Sequence, residues 1–352
     1  MEVIAGVMYH AVGASSAALC YTPQKKALGW SWQTYWLAQA AVCWLLLPVI
    51  VAWLTIPQLG EVLREAPTAV MGSTFLLGMA YGVGGTAFGM AIRYVGFSLT
   101  YAISVGISCV LGTLIPPLVR GELGSVFDKT GAGWVMTGIA LGALGIAVCG
   151  VAGRSKEKDL ERNDAVNSSF SLRKGLPLCL LAGVLSAVYG FSLDQGKPIA
   201  DIAARYGAGS FQGNVVYIFS NSGAFVTTLL YCLYLHKKQG TFGEYSRVPA
   251  GEKATGLPLN FAMAALTGLL WYGQFFFYGL GHVRMGNYKF SSWAIHMIML
   301  VLFSTVAGIL LREWSTSSKA TKLKLGLALA VLTIAVIVLT YGNYLGGEAG
   351  TH

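Results

Sequence analysis

The sequence predicts an all-α integral membrane protein with ten transmembrane helices. Only 11% of its 352 residues are charged and 55% are hydrophobic, whereas a soluble globular domain carries roughly 25% charged residues. The apolar residues also form continuous runs of about 20, the length that a helix needs to cross roughly 30 Å of hydrocarbon at 1.5 Å per residue. Together these observations argue against a water-soluble enzyme, and runs without period-two alternation argue against a transmembrane barrel.

The predicted spans follow one another with short polar breaks. The first begins directly after Met1 and Glu2 without a basic region, so we expect a retained helix rather than a cleaved signal peptide. In the second span, Pro48 is expected to kink the helix and Pro57 to end it. The ten windows lie near residues 3–22, 33–55, 68–91, 98–119, 133–152, 175–196, 211–235, 256–281, 291–311 and 323–345.

The distribution of basic residues predicts the orientation in the membrane. Alternate connections place 17 of the 24 Lys and Arg residues on one side and 7 on the other. The positive-inside rule assigns the richer side to the cytoplasm, so both termini are expected outside. This reading also explains the net charge of +9 without a nucleic-acid partner. The six cysteines all fall in apolar stretches and are expected to be buried thiols rather than metal ligands.

A polar segment divides the chain into two similar halves. Residues 154–174 are rich in mixed charges and are predicted to be a solvated cytoplasmic linker between five-helix halves at 1–153 and 175–352. The halves share glycine spacings: Gly78 and Gly89 in one correspond to Gly268 and Gly279 in the other. An odd number of helices per half gives the halves opposite topology, which is the inverted-repeat design of secondary transporters. The pattern therefore favours a carrier.

Titratable residues inside the spans are candidates for proton coupling, since lipid does not tolerate them without a reason. His10 in the first span and His296 in the ninth carry imidazole, a group whose ordinary pKa is near neutral pH, although for His10 a hydrogen-bonded interior histidine is an equally good interpretation. Asp194 in the sixth span is spaced i, i+3 from Lys197, close enough for an ion pair on one face of the helix. That pair could also serve only to anchor the helix end.

Aromatic and amide side chains recur on the faces of the seventh to ninth spans. Asn221 lies in the seventh, Trp271, Gln274 and Tyr278 share one face of the eighth, and Trp293 lies in the ninth. Ring faces pack on the C–H faces of a sugar while amides bind its hydroxyl groups. The spacing thus suggests a sugar site, although packing and interfacial roles remain open for each aromatic residue.

Motifs of catalysis are missing from the sequence: it has no nucleophile elbow, no HExxH and no nucleotide-binding loop. We therefore expect neither an enzyme nor a self-contained primary pump, and no cofactor or metal. The remaining classes are a carrier and, as an alternative from another class, a membrane sensor that binds a ligand without transporting it.

Two stretches resemble the bacterial L-rhamnose/proton symporter family. These are the opening run from His10 to Ala18 with Pro23, and the run from Leu270 to His282. Shorter matches lie at residues 93–96, 197–198 and 292–296. The family belongs to the drug/metabolite transporter superfamily, so the resemblance implies ten helices in two inverted five-helix repeats. It also implies a pocket at His10, Lys25, Arg93, Asn221, Trp271, Gln274, Trp293 and His296.

The resemblance implies uptake of L-rhamnose, a 6-deoxyhexose, with protons across the bacterial plasma (inner) membrane by alternating access, with both termini periplasmic. Substrate would contact Asn221, Trp271, Gln274, Tyr278, Trp293, Lys25 and Arg93. The proton, the one coupling ion expected, would bind at His10, His296 or Asp194. Asp194 departs from what the family would lead us to expect. Export of another small metabolite or drug is the alternative within the superfamily.

Overall fold

The computed structural model describes residues 2–163, 171–247 and 256–348, and within these ranges the chain is helical and contains no strand. Clustering of contacts divides it into two compact units. Unit 1 comprises Met1–Ala18, Gly84–Phe191 and Leu280–His352, and unit 2 comprises Leu19–Val83 and Ser192–Gly279. Each unit therefore takes segments from both predicted halves, and the repeat itself stays a prediction.

Thirteen α-helices are present in the described part of the chain, with short 3₁₀ turns and one π-helical segment between them. Their bounds are α1 Glu2–Leu19, α2 Trp32–Ala40, α3 Leu47–Thr55, α4 Leu59–Glu65, α5 Thr68–Val119, α6 Leu123–Phe127, α7 Ala132–Asn163, α8 Leu172–Gln195, α9 Lys197–Arg205, α10 Asn214–Gln239, α11 Gly256–His282, α12 Ser292–Leu310 and α13 Lys319–Glu348.

The described residues contain nine segments that are long and apolar enough to cross a membrane. They correspond to nine of the ten predicted windows. The remaining window, the eighth along the chain near residues 256–281, is α11, a helix of 27 residues. It is not among the nine. Asn260 and Gln274 are among the polar residues that lower its hydropathy, and Gln274 is also one of the predicted site residues.

Three helical segments run differently from the prediction. Helix α5 is continuous over 52 residues, through the break expected between residues 91 and 98. Helix α7 continues to Asn163, so the first ten residues of the predicted linker are helical, which is consistent with the helix propensity of Lys, Glu and Arg. The middle of that linker lies outside the described residues. In the second span, a π-helical segment at Ala41–Leu46 precedes Pro48, whose missing N–H removes one i→i−4 hydrogen bond.

Glycines bring the helices of unit 2 into backbone contact. A Cβ at Gly78 of α5 would lie 2.0 Å from the carbonyl oxygen of Ser220, and one at Gly223 of α10 would lie 2.1 Å from that of Phe75. A Cβ at Gly268 of α11 would lie 2.9 Å from the Gln39 carbonyl oxygen. Small residues permit this close approach, which is the main way helices associate in lipid. These glycines bring α5 against α10 and α11 against α2.

Unit 1 uses the same device between other helices. Gly138 of α7 packs against Leu339 of α13, and Gly6 of α1 meets Gly281 near the end of α11, where an added Cβ would lie 3.0 Å from the Gly281 carbonyl oxygen. All six cysteines are free and buried, as the sequence predicted. The polar residues that these helices enclose define the candidate site.

Candidate functional site

Five rings of unit 2 form a buried group, here called the aromatic cluster: Tyr21, Trp36, Trp44, Tyr81 and Trp271. The Trp271 ring lies at its centre, with ring centroids 5.4 Å from Tyr21, 5.5 Å from Trp36 and 5.3 Å from Trp44, all edge-to-face. Tyr81 extends the group to 5.9 Å from Trp44. Edge-to-face rings at these distances stabilise one another.

Several polar groups beside these rings have unmet hydrogen-bonding capacity. Among the described residues, neither the amide nitrogen nor the amide oxygen of Gln39 has a hydrogen-bond partner, and the same holds for the indole N–H of Trp36, the indole N–H of Trp44 and the hydroxyl of Tyr272. Gln39 is fully buried one helical turn from Trp36. Because an unpaired buried polar group costs about 1–3 kcal/mol, such a set is typical of a site that binds a polar ligand.

Helices α10 and α11 carry the predicted amide residues next to this region. The Tyr217 hydroxyl donates a hydrogen bond of 2.6 Å to the Phe275 carbonyl oxygen, which joins the two helices. Asn221 is fully buried on α10, and Gln274 is 9% exposed on α11. Four of the predicted site residues therefore lie in unit 2: Asn221, Trp271, Gln274 and Tyr278.

Asp194 does not form the predicted ion pair with Lys197. Helix α8 ends at Gln195 and α9 begins at Lys197, so the i, i+3 geometry of a continuous helix is lost at Gly196. The Lys197 side chain is exposed, and no ion pair joins the two residues in the described part of the chain. Asp194 instead lies within electrostatic range of Tyr278 on α11.

Histidines from three helices meet in unit 1. The His10 and His296 rings are edge-to-face with centroids 5.7 Å apart, and both side chains are buried. His282 at the end of α11 is close enough to His10 to act on it electrostatically. Gly281 makes this possible, because a Cβ there would lie 2.8 Å from Nε2 of His10. The arrangement can bind and pass a proton between neighbouring imidazoles.

Three other predicted site residues have different surroundings. The Trp293 indole N–H donates a hydrogen bond of 2.9 Å to the Ser108 carbonyl oxygen, and its ring packs against Gly112 and Gly190. Its donor is therefore used within unit 1. Lys25 is exposed at the end of a 3₁₀ turn, and the Arg93 side chain lies outside what the structure describes.

A polar loop holds the start of α2, the helix that carries Trp36 and Gln39. The Glu244 carboxylate accepts hydrogen bonds of 2.8 Å from both the backbone N–H and the hydroxyl of Ser31. The Trp30 indole N–H donates to the Glu244 carbonyl oxygen at 2.9 Å. Burial raises the pKa of the neighbouring Tyr245 hydroxyl, which keeps it protonated. The negative carboxylate also interacts favourably with the positive end of the α2 dipole. The loop therefore holds the start of α2 in place.

The chain matches one protein family over nearly its whole length. The profile of the L-rhamnose-proton symport protein family matches residues 1–344. The chain belongs to the L-rhamnose-proton symporter family. Two proteins named L-rhamnose-proton symporter are each 33% identical to it: one from Cronobacter sakazakii, over 96% of this chain and 97% of that protein, and one from Mannheimia succiniciproducens, over 97% and 99%. A Yersinia pestis protein of the same name is 32% identical over 343 residues.

Membership of the L-rhamnose-proton symporter family confirms the resemblance inferred from the sequence. Symporters are membrane transporters and not enzymes, so the expectation from the missing catalytic motifs is also confirmed. It does not assign roles to individual residues.

Sequence reasoning missed part of the aromatic cluster of this symporter-family chain. Trp36, Gln39 and Trp44 lie in the second span, where the spacing of three between Trp36 and Gln39 places them on one helical face. That spacing was a usable signal. Nothing in the sequence, however, indicated that this face meets Trp271, which lies 235 residues further along the chain than Trp36.

Proposed function

We propose that this chain is a secondary active transporter that imports L-rhamnose together with protons across the bacterial plasma membrane. The observation that carries the proposal is the family match over residues 1–344, with relatives named L-rhamnose-proton symporter that align over nearly their whole length. The aromatic cluster and the buried histidines supply groups suited to the two substrates.

The sugar is proposed to bind at the aromatic cluster. L-Rhamnose has apolar C–H faces and a methyl group that can pack on the rings of Trp36, Trp44 and Trp271, while its hydroxyl groups donate to and accept from amides. Gln39 supplies both a donor and an acceptor that the described residues do not satisfy. Asn221, Gln274 and Tyr278 of the same unit are proposed as further contacts.

The coupling proton is proposed to bind at the His10–His296 pair. At a centroid separation of 5.7 Å, the two rings would hold no more than one proton at a time, because a second would be opposed by like-charge repulsion. Coupling requires that proton binding and sugar binding bias the same conformational equilibrium of the alternating-access cycle. Asp194, next to Tyr278 in unit 2, is the second candidate for this role.

The membrane topology is part of the same proposal. Ten helices in two inverted five-helix repeats, with α11 as the eighth, would place both termini in the periplasm. The unequal distribution of 17 and 7 basic residues supports this orientation.

Uptake into proteoliposomes that contain only this protein tests the function. We expect labelled L-rhamnose to accumulate against its gradient when an inward proton gradient is imposed, and unlabelled L-rhamnose to compete. Equilibration without accumulation under the same gradient would reject proton coupling but keep a sugar carrier. A folded protein that binds L-rhamnose without any flux would reject transport and favour a sensor.

A further inference from the structure

A long groove on unit 1 plays no part in the proposed transport chemistry. It has a volume of about 900 Å³ and runs between α5 and α7. Most of its wall is apolar, and one end is basic. The apolar wall is represented by Leu99, Gly106, Ile107, Leu111, Ala143 and Ala147.

The apolar part of the groove is about as long as the hydrocarbon layer of one lipid leaflet is thick. From residue 99 to residue 111, α5 rises about 18 Å at 1.5 Å per residue, which is close to half of the roughly 30 Å hydrocarbon core. Small side chains keep the groove open, and Val151 on its wall is 55% exposed. A surface of this kind accommodates an extended hydrocarbon chain.

Three basic residues lie at the end of the groove: Arg154 and Lys158 on α7 and Lys324 on α13. The Lys324 ammonium donates a hydrogen bond of 2.8 Å to the Ser155 hydroxyl, which holds it beside α7. This end belongs to the side that carries 17 of the 24 basic residues. It is therefore the side that the positive-inside rule assigns to the cytoplasm.

Nearby carboxylates only partly balance these charges. Glu157 lies 3.9 Å from Arg154 and offsets one positive charge. The Asp159 carboxylate, which accepts hydrogen bonds from the Ser318 backbone N–H and the Thr321 hydroxyl, offsets a second. The Lys156 ammonium lies over the Trp314 ring. The end of the groove thus keeps an excess of positive charge beside an apolar channel.

We propose that this groove binds an anionic phospholipid, with one acyl chain along α5 and α7 and the headgroup phosphate at Arg154, Lys158 and Lys324. Charge complementarity selects the phosphate, and the apolar length selects a lipid over a free anion. Basic pockets between helices on the cytoplasmic side are a known mode of lipid recognition. The site belongs to unit 1 alone.

Lipid binding to the purified full-length protein tests the proposal directly, independently of transport. Native mass spectrometry would compare dioleoyl phosphatidylglycerol with dioleoyl phosphatidylcholine, which differ in headgroup charge, and with glycerol 3-phosphate, which has no chains. We expect phosphatidylglycerol to bind at least tenfold more tightly than either. At about fivefold per basic residue, the double variant Arg154→Gln/Lys324→Gln should weaken phosphatidylglycerol by about 25-fold and weaken phosphatidylcholine, whose own ammonium balances its phosphate, much less.

Two single variants test the apolar part of the groove. Ala147→Phe adds a ring inside it and should weaken both phospholipids, whereas Leu144→Phe, at an exposed position of the same helix that does not line the groove, should weaken neither. Equal binding of the two phospholipids would overturn the proposal, as would full retention of the preference in the double variant. Binding of glycerol 3-phosphate as tight as that of the lipid would show a free-anion site instead.

Discussion

Replacing Gln39 by Leu should stabilise the protein and weaken sugar binding at the same time. The Gln39 side chain is fully buried, and its amide nitrogen and oxygen have no hydrogen-bond partner in the described ranges. Each such group costs about 1–3 kcal/mol, so an apolar side chain of similar size should raise the free energy of unfolding by about 2 kcal/mol. The two lost hydrogen bonds to the sugar, at about 1 kcal/mol each, should lower L-rhamnose affinity by about 10- to 100-fold.

The assay uses the tryptophans of the aromatic cluster as reporters. L-Rhamnose is titrated into purified protein while tryptophan fluorescence is recorded, and the thermal midpoint is measured with and without sugar. The sugar-induced rise in the midpoint should be lost in Gln39→Leu even though the sugar-free midpoint is higher.

Gln33 offers a matched control on the same helix. Its amide nitrogen donates hydrogen bonds of 3.1 Å to the Gln239 side-chain oxygen and 2.9 Å to the Thr241 hydroxyl. Gln33→Leu should therefore destabilise the protein by about 1–2 kcal/mol and leave the affinity for L-rhamnose unchanged. If Gln39→Leu behaves like Gln33→Leu in both measurements, Gln39 is a structural residue and the reasoning about the cluster is wrong.

Three further predictions concern the coupling, the packing and the support of α2. His10→Asn or His296→Asn should abolish proton-driven accumulation of L-rhamnose in proteoliposomes while sugar exchange continues. Gly78→Ala should destabilise the protein by about 1–3 kcal/mol, since the added Cβ would lie 2.0 Å from a carbonyl oxygen of α10; Gly72→Ala, with nothing within 4 Å, should stabilise it by about 0.5–1 kcal/mol. Glu244→Gln should lower the thermal midpoint, because it weakens the charge-assisted hydrogen bonds at the start of α2.

Each of these variants has an outcome that contradicts its premise. Accumulation that survives replacement of both histidines would move the proton site to Asp194. Equal effects of the alanine variants at Gly78 and Gly72 would contradict the close contact between α5 and α10. An unchanged midpoint in Glu244→Gln, compared with Glu61→Gln at an exposed ion pair with Arg64 of its own helix, would contradict the anchoring role of the loop.

The helices could be predicted because the signal for a membrane span is local. A run of about 20 apolar residues suffices, and nine predicted windows match apolar helices of the described chain. The continuity of α5 could not be predicted, because the residues near Arg93 allow either a helix or a turn and tertiary contacts decide. The eighth window lost hydropathy to polar residues such as Asn260 and Gln274, so a side chain that suggests a binding role also weakens the signal for a span.

The site could be predicted only where one helix carries it. The spacing on α11 singled out Trp271, which lies at the centre of the aromatic cluster. The ion pair of Asp194 failed because it assumed that the helix continues past Gly196. The Trp293 hydrogen bond to Ser108 joins residues 185 positions apart. The spacing of residues along one helix cannot predict a contact between two distant helices.

Sugar and proton are proposed to move together in one step of transport. Recording the internal pH of proteoliposomes with a trapped pH-sensitive dye, after L-rhamnose is added outside without any imposed proton gradient, measures this coupling. We expect acidification of the lumen that requires the sugar and disappears in His10→Asn. Entry of labelled L-rhamnose at an unchanged internal pH would show that the sugar moves without a proton.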